Sequence, residues 1–187
     1  DYCVRNAPGM PLGSFYGYKT GGVDPETGEL IYLDTNEDGE VTANDRTYMG
    51  DPNPDFTFGM TNTFQFYGVT ISFLLQGSYG NDVFNASRIE TEGMYDAKNQ
   101  SIRVLDRWRR PGMITSIPKA GFDMKVSDYF VEDGSYIRLK DLTIGYEFSG
   151  DWMKKIGMTR LQPYFSAQNL FTLTKYLGMD PEVNQYG

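Results

Sequence analysis

The side chains best suited to chemistry lie in an acidic stretch, DTNEDGEVTAND, at positions 34–45. Oxygen-bearing residues alternate along it, Gly39 permits a sharp turn at the sixth position, and a carboxylate closes the stretch at the twelfth. This spacing is typical of calcium-binding loops, which surround a hard cation with six to eight oxygens. The predicted ligands are four side chains and the backbone carbonyl at the seventh position: Asp34, Asn36, Asp38, Asp45 and Glu40.

Two features of this stretch weaken its interpretation as a calcium-binding loop. Its closing residue is Asp45, where calcium loops usually have a bidentate Glu. Asp, Asn and Gly are also ordinary turn formers, so a solvated acidic turn is the alternative interpretation. A bound Ca²⁺ would make this surface loop rigid and would not take part in catalysis.

A second group of candidates lies in a long polar insertion at positions 80–135. The rings of Tyr95 and Trp108 could stack on sugars, and Arg107 could contact an anionic ligand. For the aromatic residues the alternative is a loop that packs its own aromatic side chains together. For Arg107 it is a solvated face paired with Asp106. Residues 96–110 are the segment of this insertion for which the pattern predicts a helix, ended by Pro and Gly at 111–112.

Composition weighs against several classes of function. The 187 residues include 17 Lys and Arg, 25 Asp and Glu, and no histidine, for a formal charge of −8. The negative charge disfavours a nucleic-acid partner. Without histidine the commonest general base is missing, and no pair of carboxylates is placed around a scissile bond, so an enzyme is disfavoured and no organic cofactor is implied.

Residues 55–79, DFTFGMTNTFQFYGVTISFLLQGSY, alternate apolar and polar side chains on both sides of Gly68. Successive side chains of a strand point to opposite faces, so this pattern predicts a hairpin with one apolar face and one hydroxyl-rich face. Each strand has about 11 residues, the length that a tilted strand needs to cross a bilayer. The prediction is therefore an all-β antiparallel meander that forms part of a transmembrane β-barrel.

A second hairpin of the same design is predicted from residues 136–148 and 159–174. The apolar phase shifts after Leu139, which predicts a β-bulge near Lys140 or Asp141. A short connector at 149–158 is expected to form one helical turn, and Asn169 stands among the apolar positions without a reason visible in the sequence. Four strands cannot close a barrel, so the chain would supply only part of one.

Six segments, in order, resemble the SusC/RagA-type TonB-linked outer-membrane receptors. They are PLGSFYGYKTGGV (11–23), DTNEDGEVTANDRTYMGDPNPDFTFG (34–59), FLLQGSYGNDVFN (73–85), RW…PG…TSIPKA (107–120), DYFVEDGSYIRLKDLTIGYEF (128–148) and SAQNLFTLTKYLGMDPEV (166–183). Together they cover most of the chain. The resemblance implies that residues 1–187 are the C-terminal portion of one 22-stranded barrel domain, with long extracellular loops and a short loop helix.

The same resemblance implies a location and partners. Such receptors lie in the outer membrane of Gram-negative bacteria, in contact with its lipid, and import oligosaccharides or peptides. A SusD-like surface lipoprotein covers them, and TonB drives them through an N-terminal part that, together with the plug and the last strand, is expected outside this segment.

The rival interpretation is a soluble, calcium-stabilised β-sandwich that binds glycans or acts as an adhesin. It would bury the Phe56–Phe66 face against a second sheet.

Overall fold

The computed structural model describes residues 3–182, and residues 1–2 and 183–187 lie outside the described part. The described residues form strands β1 (Phe15–Gly17), β2 (Thr20–Val23), β3 (Leu30–Tyr32), β4 (Thr47–Gly50), β5 (Phe56–Phe66), β6 (Val69–Tyr79), β7 (Asp82–Phe84), β8 (Val131–Asp133), β9 (Tyr136–Tyr146) and β10 (Tyr164–Thr174), with helices α1 (Ser87–Gly93) and α2 (Asp151–Lys155).

The chain divides into two compact units. The first, here called the sheet unit, consists of residues 54–80 and 134–175. The second, here called the loop unit, contains the other described residues, 3–53, 81–133 and 176–182. Within residues 3–182, no helix has the length and apolar character that a membrane-spanning helix requires.

The sheet unit is one antiparallel sheet with the strand order β10-β9-β6-β5. Its first hairpin confirms the prediction, with two strands of 11 residues joined by Tyr67 and Gly68. Both turn residues have positive φ, 46° and 82°, the combination that matches the twist of a tight hairpin. Gly68 also lies too close to the Glu147 carbonyl for a side chain, since a Cβ there would stand 2.8 Å from that oxygen.

Strand register sorts the side chains of the sheet unit into two chemically different faces. On one face, apolar residues are aligned in rows across all four strands, as in the row Phe64, Ile71, Ile144 and Phe165. On the other face, hydroxyls are aligned in the same way, as in the row Thr63, Ser72, Thr143 and Ser166. The alternation read from the sequence thus extends across the whole sheet.

The apolar face of the sheet unit is open. Phe64 is 57 % exposed, Phe66 is 72 % exposed and Phe165 is 63 % exposed. A soluble β-sandwich needs a second sheet against this face, and no strand of the described residues covers it, so the sandwich interpretation does not fit. The four strands form an open sheet and not a closed barrel, as the sequence predicted.

The predicted bulge is confirmed, and it explains Asn169. Leu74 and Leu75 are consecutive on β6, yet they pair with Asp141 and Leu139, which leaves Lys140 as an extra residue on β9. Strand β10 adds a further residue at the same level, and Asn169 adopts the left-handed conformation with φ 50°. Asn tolerates this conformation better than other residues with side chains. The bulge places both Leu139 and Leu142 on the apolar face.

The loop unit contains three two-stranded ribbons, β1 with β4, β2 with β3, and β7 with β8. The predicted helix over 96–110 is wrong: only a 3₁₀ helix, Ile102–Asp106, forms there. Ile102 and Leu105, which the helical pattern would bury, are exposed, whereas Val104 between them is buried. The α-helix of this insertion is α1, further towards the N-terminus, and the helical turn predicted in the connector is α2.

The bulge generates a prediction about Asn169. Substitution by Val should lower the free energy of unfolding by about 1–3 kcal/mol, since a β-branched residue is strained at positive φ. Substitution by Gly should leave it nearly unchanged. Urea unfolding of the protein in detergent, followed by fluorescence, measures both. Equal losses for the two variants would contradict the assigned role of backbone conformation.

Candidate functional site

The acidic loop is organised around a buried carboxylate. Asp45 has no exposed surface, and its side chain accepts backbone N–H groups from Thr42 at 2.7 Å, Thr35 at 2.8 Å and Asn36 at 3.3 Å. These hydrogen bonds, that from Thr42 foremost, lower the pKa of Asp45. The ionised carboxylate therefore stabilises the loop above the unfolded pKa of about 4, and this stability is lost as the pH falls through the lower folded value.

The other predicted calcium ligands lie in the exposed half of the loop. Asp34 accepts the backbone N–H of Gly39 at 2.7 Å and that of Asp38 at 3.3 Å. The Asn36 amide donates to Asp38 at 2.9 Å, and Asp38 also accepts the N–H of Glu40. Among residues 3–182, no three Asp, Glu, His or Cys side chains are grouped as metal ligands. In this arrangement the side-chain oxygens of the four predicted side-chain ligands, including both of Asp45, accept hydrogen bonds from N–H groups of the loop. Calcium binding stays a prediction.

A buried charged cluster, here called the Arg88 cluster, lies within the loop unit. The Arg88 guanidinium donates to Glu92 at 3.0 Å, to Glu132 at 3.1 Å and to the Tyr129 carbonyl at 2.6 Å. Glu92 also accepts Arg103 at 2.9 Å and the Tyr129 hydroxyl at 2.9 Å. Arg88 and Glu92 are only 7 % and 1 % exposed, so water screens this cluster poorly.

The Arg88 cluster joins segments that are distant in the chain. Arg88 and Glu92 lie one turn apart on α1, whereas Tyr129 and Glu132 lie more than thirty residues further on. Burial, and then the negative charge of Glu92, raises the pKa of Tyr129, which keeps its hydroxyl protonated as a donor. Glu132 also accepts the backbone N–H of Leu177 at 2.8 Å. Sequence reasoning missed this cluster, although Arg and Glu at a spacing of four residues are a detectable signal.

The three predicted ligand residues of the insertion all have intramolecular partners. Trp108 Nε1 donates to the Pro25 carbonyl at 2.8 Å, and its ring packs on Gly28, leaving no room for a side chain there. The Tyr95 hydroxyl donates to the Phe122 carbonyl at 2.7 Å. Arg107 donates to the Val104 carbonyl at 3.1 Å, at the end of the 3₁₀ helix. The structure thus does not bring them together as one site, and a ligand role for them stays a prediction.

The polar face of the sheet unit offers hydrogen-bonding groups without a reactive pair. Thr63 and Ser72 hydroxyls lie 3.1 Å apart, and the Thr143 hydroxyl donates to Ser166 at 3.3 Å. Arg138, which is 5 % exposed, donates through Nε to the Thr172 hydroxyl at 2.8 Å. Such a surface can solvate polar cargo and line an aqueous lumen.

The Arg88 cluster predicts a strong effect of Arg88→Leu. Removing one member leaves buried carboxylates uncompensated, so local opening of the loop unit should become easier by about 3–5 kcal/mol. Hydrogen exchange of the amides in α1 and β8 measures the change. Arg110→Leu, on an exposed arginine of the same unit, is the matched control and should have little effect. Equal exchange in both variants would show that the cluster does not stabilise the unit.

The calcium prediction has a separate test. If the acidic loop binds Ca²⁺, millimolar calcium should slow proteolysis of the loop, and a chelator should reverse the protection. Asp34→Ala with Asp38→Ala should remove the effect. Glu26→Gln changes an exposed carboxylate outside the loop and should preserve it. Cleavage rates that are the same with calcium and with chelator would leave a solvated turn as the correct interpretation.

Comparison with known proteins identifies the class. No family model matches the chain. TonB-dependent receptors P3 and P26 of Formosa agariphila are both 32 % identical to it, over 94 % and 88 % of the chain. TonB-dependent receptor SusC of Bacteroides thetaiotaomicron is 28 % identical over 94 % of the chain. The chain spans 19 %, 17 % and 17 % of the lengths of these three relatives.

Solved structures agree with the sequence comparison. The structure of the RagAB peptide transporter superposes with a TM-score of 0.79 and 25 % identity, over 93 % of this chain and 20 % of that chain. The RagAB peptide importer in an open-open state gives 0.76 at the same identity, again over 93 % of this chain and 20 % of that chain. These relatives are transport receptors and not enzymes. The chain belongs to the SusC/RagA-type TonB-dependent receptors of the Gram-negative outer membrane, and its sheet is a segment of their β-barrel.

Proposed function

We propose that the protein containing this chain is a nutrient importer driven by TonB. It takes up oligosaccharides or peptides across the outer membrane, and a SusD-like surface lipoprotein captures them. The observation that carries the proposal is the two-faced sheet, in which exposed aromatic and aliphatic residues lie opposite rows of hydroxyls and amides. This division is what a barrel wall needs between hydrocarbon and an aqueous lumen.

In this proposal the sheet unit acts by its surfaces and carries out no chemical step. The lipid-facing residues anchor the wall in hydrocarbon: Phe56, Phe58, Phe64, Phe66, Ile71 and Phe73. The lumen-facing residues line the inner wall beside the plug: Thr57, Thr61, Thr63, Gln65, Thr70, Ser72 and Gln76. Because these lumen-facing residues are uncharged, they can form hydrogen bonds with the transported molecule without binding it tightly, so that it can move through the barrel.

The loop unit would serve the outer end of the importer. Residues 80–135 leave and re-enter the sheet at the end opposite the two short connections, and long barrel loops are extracellular. The Arg88 cluster and the Trp108 contact with the turn at 24–29 give this insertion a defined shape. We infer that it contributes to the outer vestibule or to the lipoprotein interface, and that the segment lies in the C-terminal portion of the barrel.

The two candidate substrate classes have different sources. RagAB is described as a peptide transporter, which suggests peptides. The expectation of oligosaccharides comes from the family resemblance of the sequence. Neither class is preferred by the described residues. A direct uptake assay therefore has to include both.

The proposal predicts that Met60→Lys and Thr61→Lys behave differently. The two residues are neighbours at the middle of β5 on opposite faces. Lysine on the lipid face at mid-depth should cost about 2–4 kcal/mol of barrel stability, whereas lysine on the lumen face should be tolerated. The measurement is the amount of folded receptor in outer membranes, together with uptake of labelled peptides and oligosaccharides.

In that assay, uptake should require TonB and should fall in Met60→Lys cells in proportion to the receptor lost. Thr61→Lys cells should keep the receptor. Insertion of both variants at equal levels would refute the assignment of faces. Uptake of neither substrate class by cells with folded receptor and active TonB would refute the importer itself.

A further inference from the structure

A groove interrupts the apolar face of the sheet unit near its short connections. Its volume is about 390 Å³, which is within the range of small-molecule sites. Strands β6, β9 and β10 and the residue preceding β10 contribute its lining: Val69, Ile144, Gly145, Tyr146, Pro163, Tyr164 and Phe165. Register places Gly145 and Tyr164 in the polar row of Thr70, but the side chains of Val69, Ile144, Tyr146 and Phe165 lie on the apolar face. The groove that these four line is therefore on the side that the receptor presents to hydrocarbon.

The shape of the groove follows from side-chain size. Val69 and Pro163 have short side chains, whereas their neighbours Tyr146 and Phe165 are large. Tyr146 pairs with Val69 across the strands, and its backbone N–H donates to the Pro163 carbonyl at 3.0 Å, which fixes the two sides of the groove. A straight, flexible apolar chain fits such a slot better than a rigid or polar ligand does.

Aromatic rings connect the groove to a cationic connector. The rings of Tyr146 and Phe148 lie 4.7 Å apart between centroids, and those of Phe148 and Trp152 lie 6.1 Å apart. Trp152 belongs to α2, which also carries Lys154 and Lys155. Tyrosine and tryptophan are the residues that barrels place at the boundary between hydrocarbon and headgroups.

The connector has the opposite charge to the chain as a whole. Between β9 and β10, residues 147–163 hold three cations and two carboxylates, a net charge of +1, whereas the formal charge of the whole chain is −8. Lys154 pairs with Asp151 at 2.9 Å and Arg160 pairs with Glu147 at 2.9 Å, both on exposed surface, and Lys155 is exposed. Exposed cations beside a hydrocarbon surface attract anionic headgroups.

We propose that this groove binds one acyl chain of an anionic glycerophospholipid, whose phosphate contacts Lys154 and Lys155. Short barrel connections face the periplasm, so the lipid belongs to the periplasmic leaflet. The site is separate from the cargo path, because it opens on the opposite face of the sheet. It would fix the depth at which this end of the wall sits in the bilayer.

The test uses the intact receptor in detergent and native mass spectrometry, with phosphatidylglycerol and phosphatidylcholine as the added lipids. Val69→Phe fills the groove, and the receptor should then retain one phosphatidylglycerol fewer than the wild type. Leu75→Phe makes a similar change on the same face, outside the groove, and should retain the same number as the wild type. Folding of each variant is checked by heat-dependent migration on a gel.

A second variant keeps the proposal falsifiable if Val69→Phe does not fold. Lys154→Gln with Lys155→Gln changes exposed residues, and it should weaken binding of phosphatidylglycerol by about tenfold or more while leaving phosphatidylcholine unchanged. Equal retention by wild type and a folded Val69→Phe would overturn the proposal. So would equal affinity for the two lipids, competition by inorganic phosphate alone, or preference for lipopolysaccharide.

Discussion

The pairing of backbone hydrogen bonds in hydrocarbon is the constraint on which the sheet unit depends. A lipid bilayer offers no partner for an unpaired N–H or carbonyl group, so strands can cross it only as members of a closed ladder. Among the described strands, β6 and β9 have a strand neighbour on both sides, whereas β5 and β10 form the two edges of the sheet. The remaining pairs must come from further strands, which explains why the segment is a part of a barrel and not an independent fold.

The register between neighbouring strands is constrained as well. Every strand must present its apolar residues to the same side, and a shift of one residue would reverse the two faces. The bulge at Lys140 and Asn169 satisfies this requirement where the apolar phase of β9 changes. A local departure from regular pairing thus keeps the apolar and the polar side chains on separate faces of the sheet.

The loop unit is stabilised differently. Its strands are short, and its order rests on a small apolar core that includes Leu30, Ile117 and Phe130, together with the buried ion pairs of the Arg88 cluster. The sequence predicted little of this, because an ion pair such as Arg88 with Glu132 joins residues far apart in the chain. The helix predicted at 96–110 failed for a related reason: Ser101 caps a 3₁₀ turn, and Val104, not the face of Ile102 and Leu105, is the residue that the tertiary structure buries.

The sequence by itself determined the two hairpins and the bulge, because period-two alternation over 11 residues is a local property that a two-faced strand satisfies. The family was indicated separately, by the resemblance of six segments in order. The tertiary structure decided which residues come together across long separations: the Arg88 cluster, the Trp108 contact with Pro25 and Gly28, and the groove between Tyr146 and Phe165. It also explained Asn169, whose φ depends on pairing with β9. These features arise from contacts between segments, and the sequence shows at most one pair of each, as with Arg88 and Glu92 at a spacing of four residues.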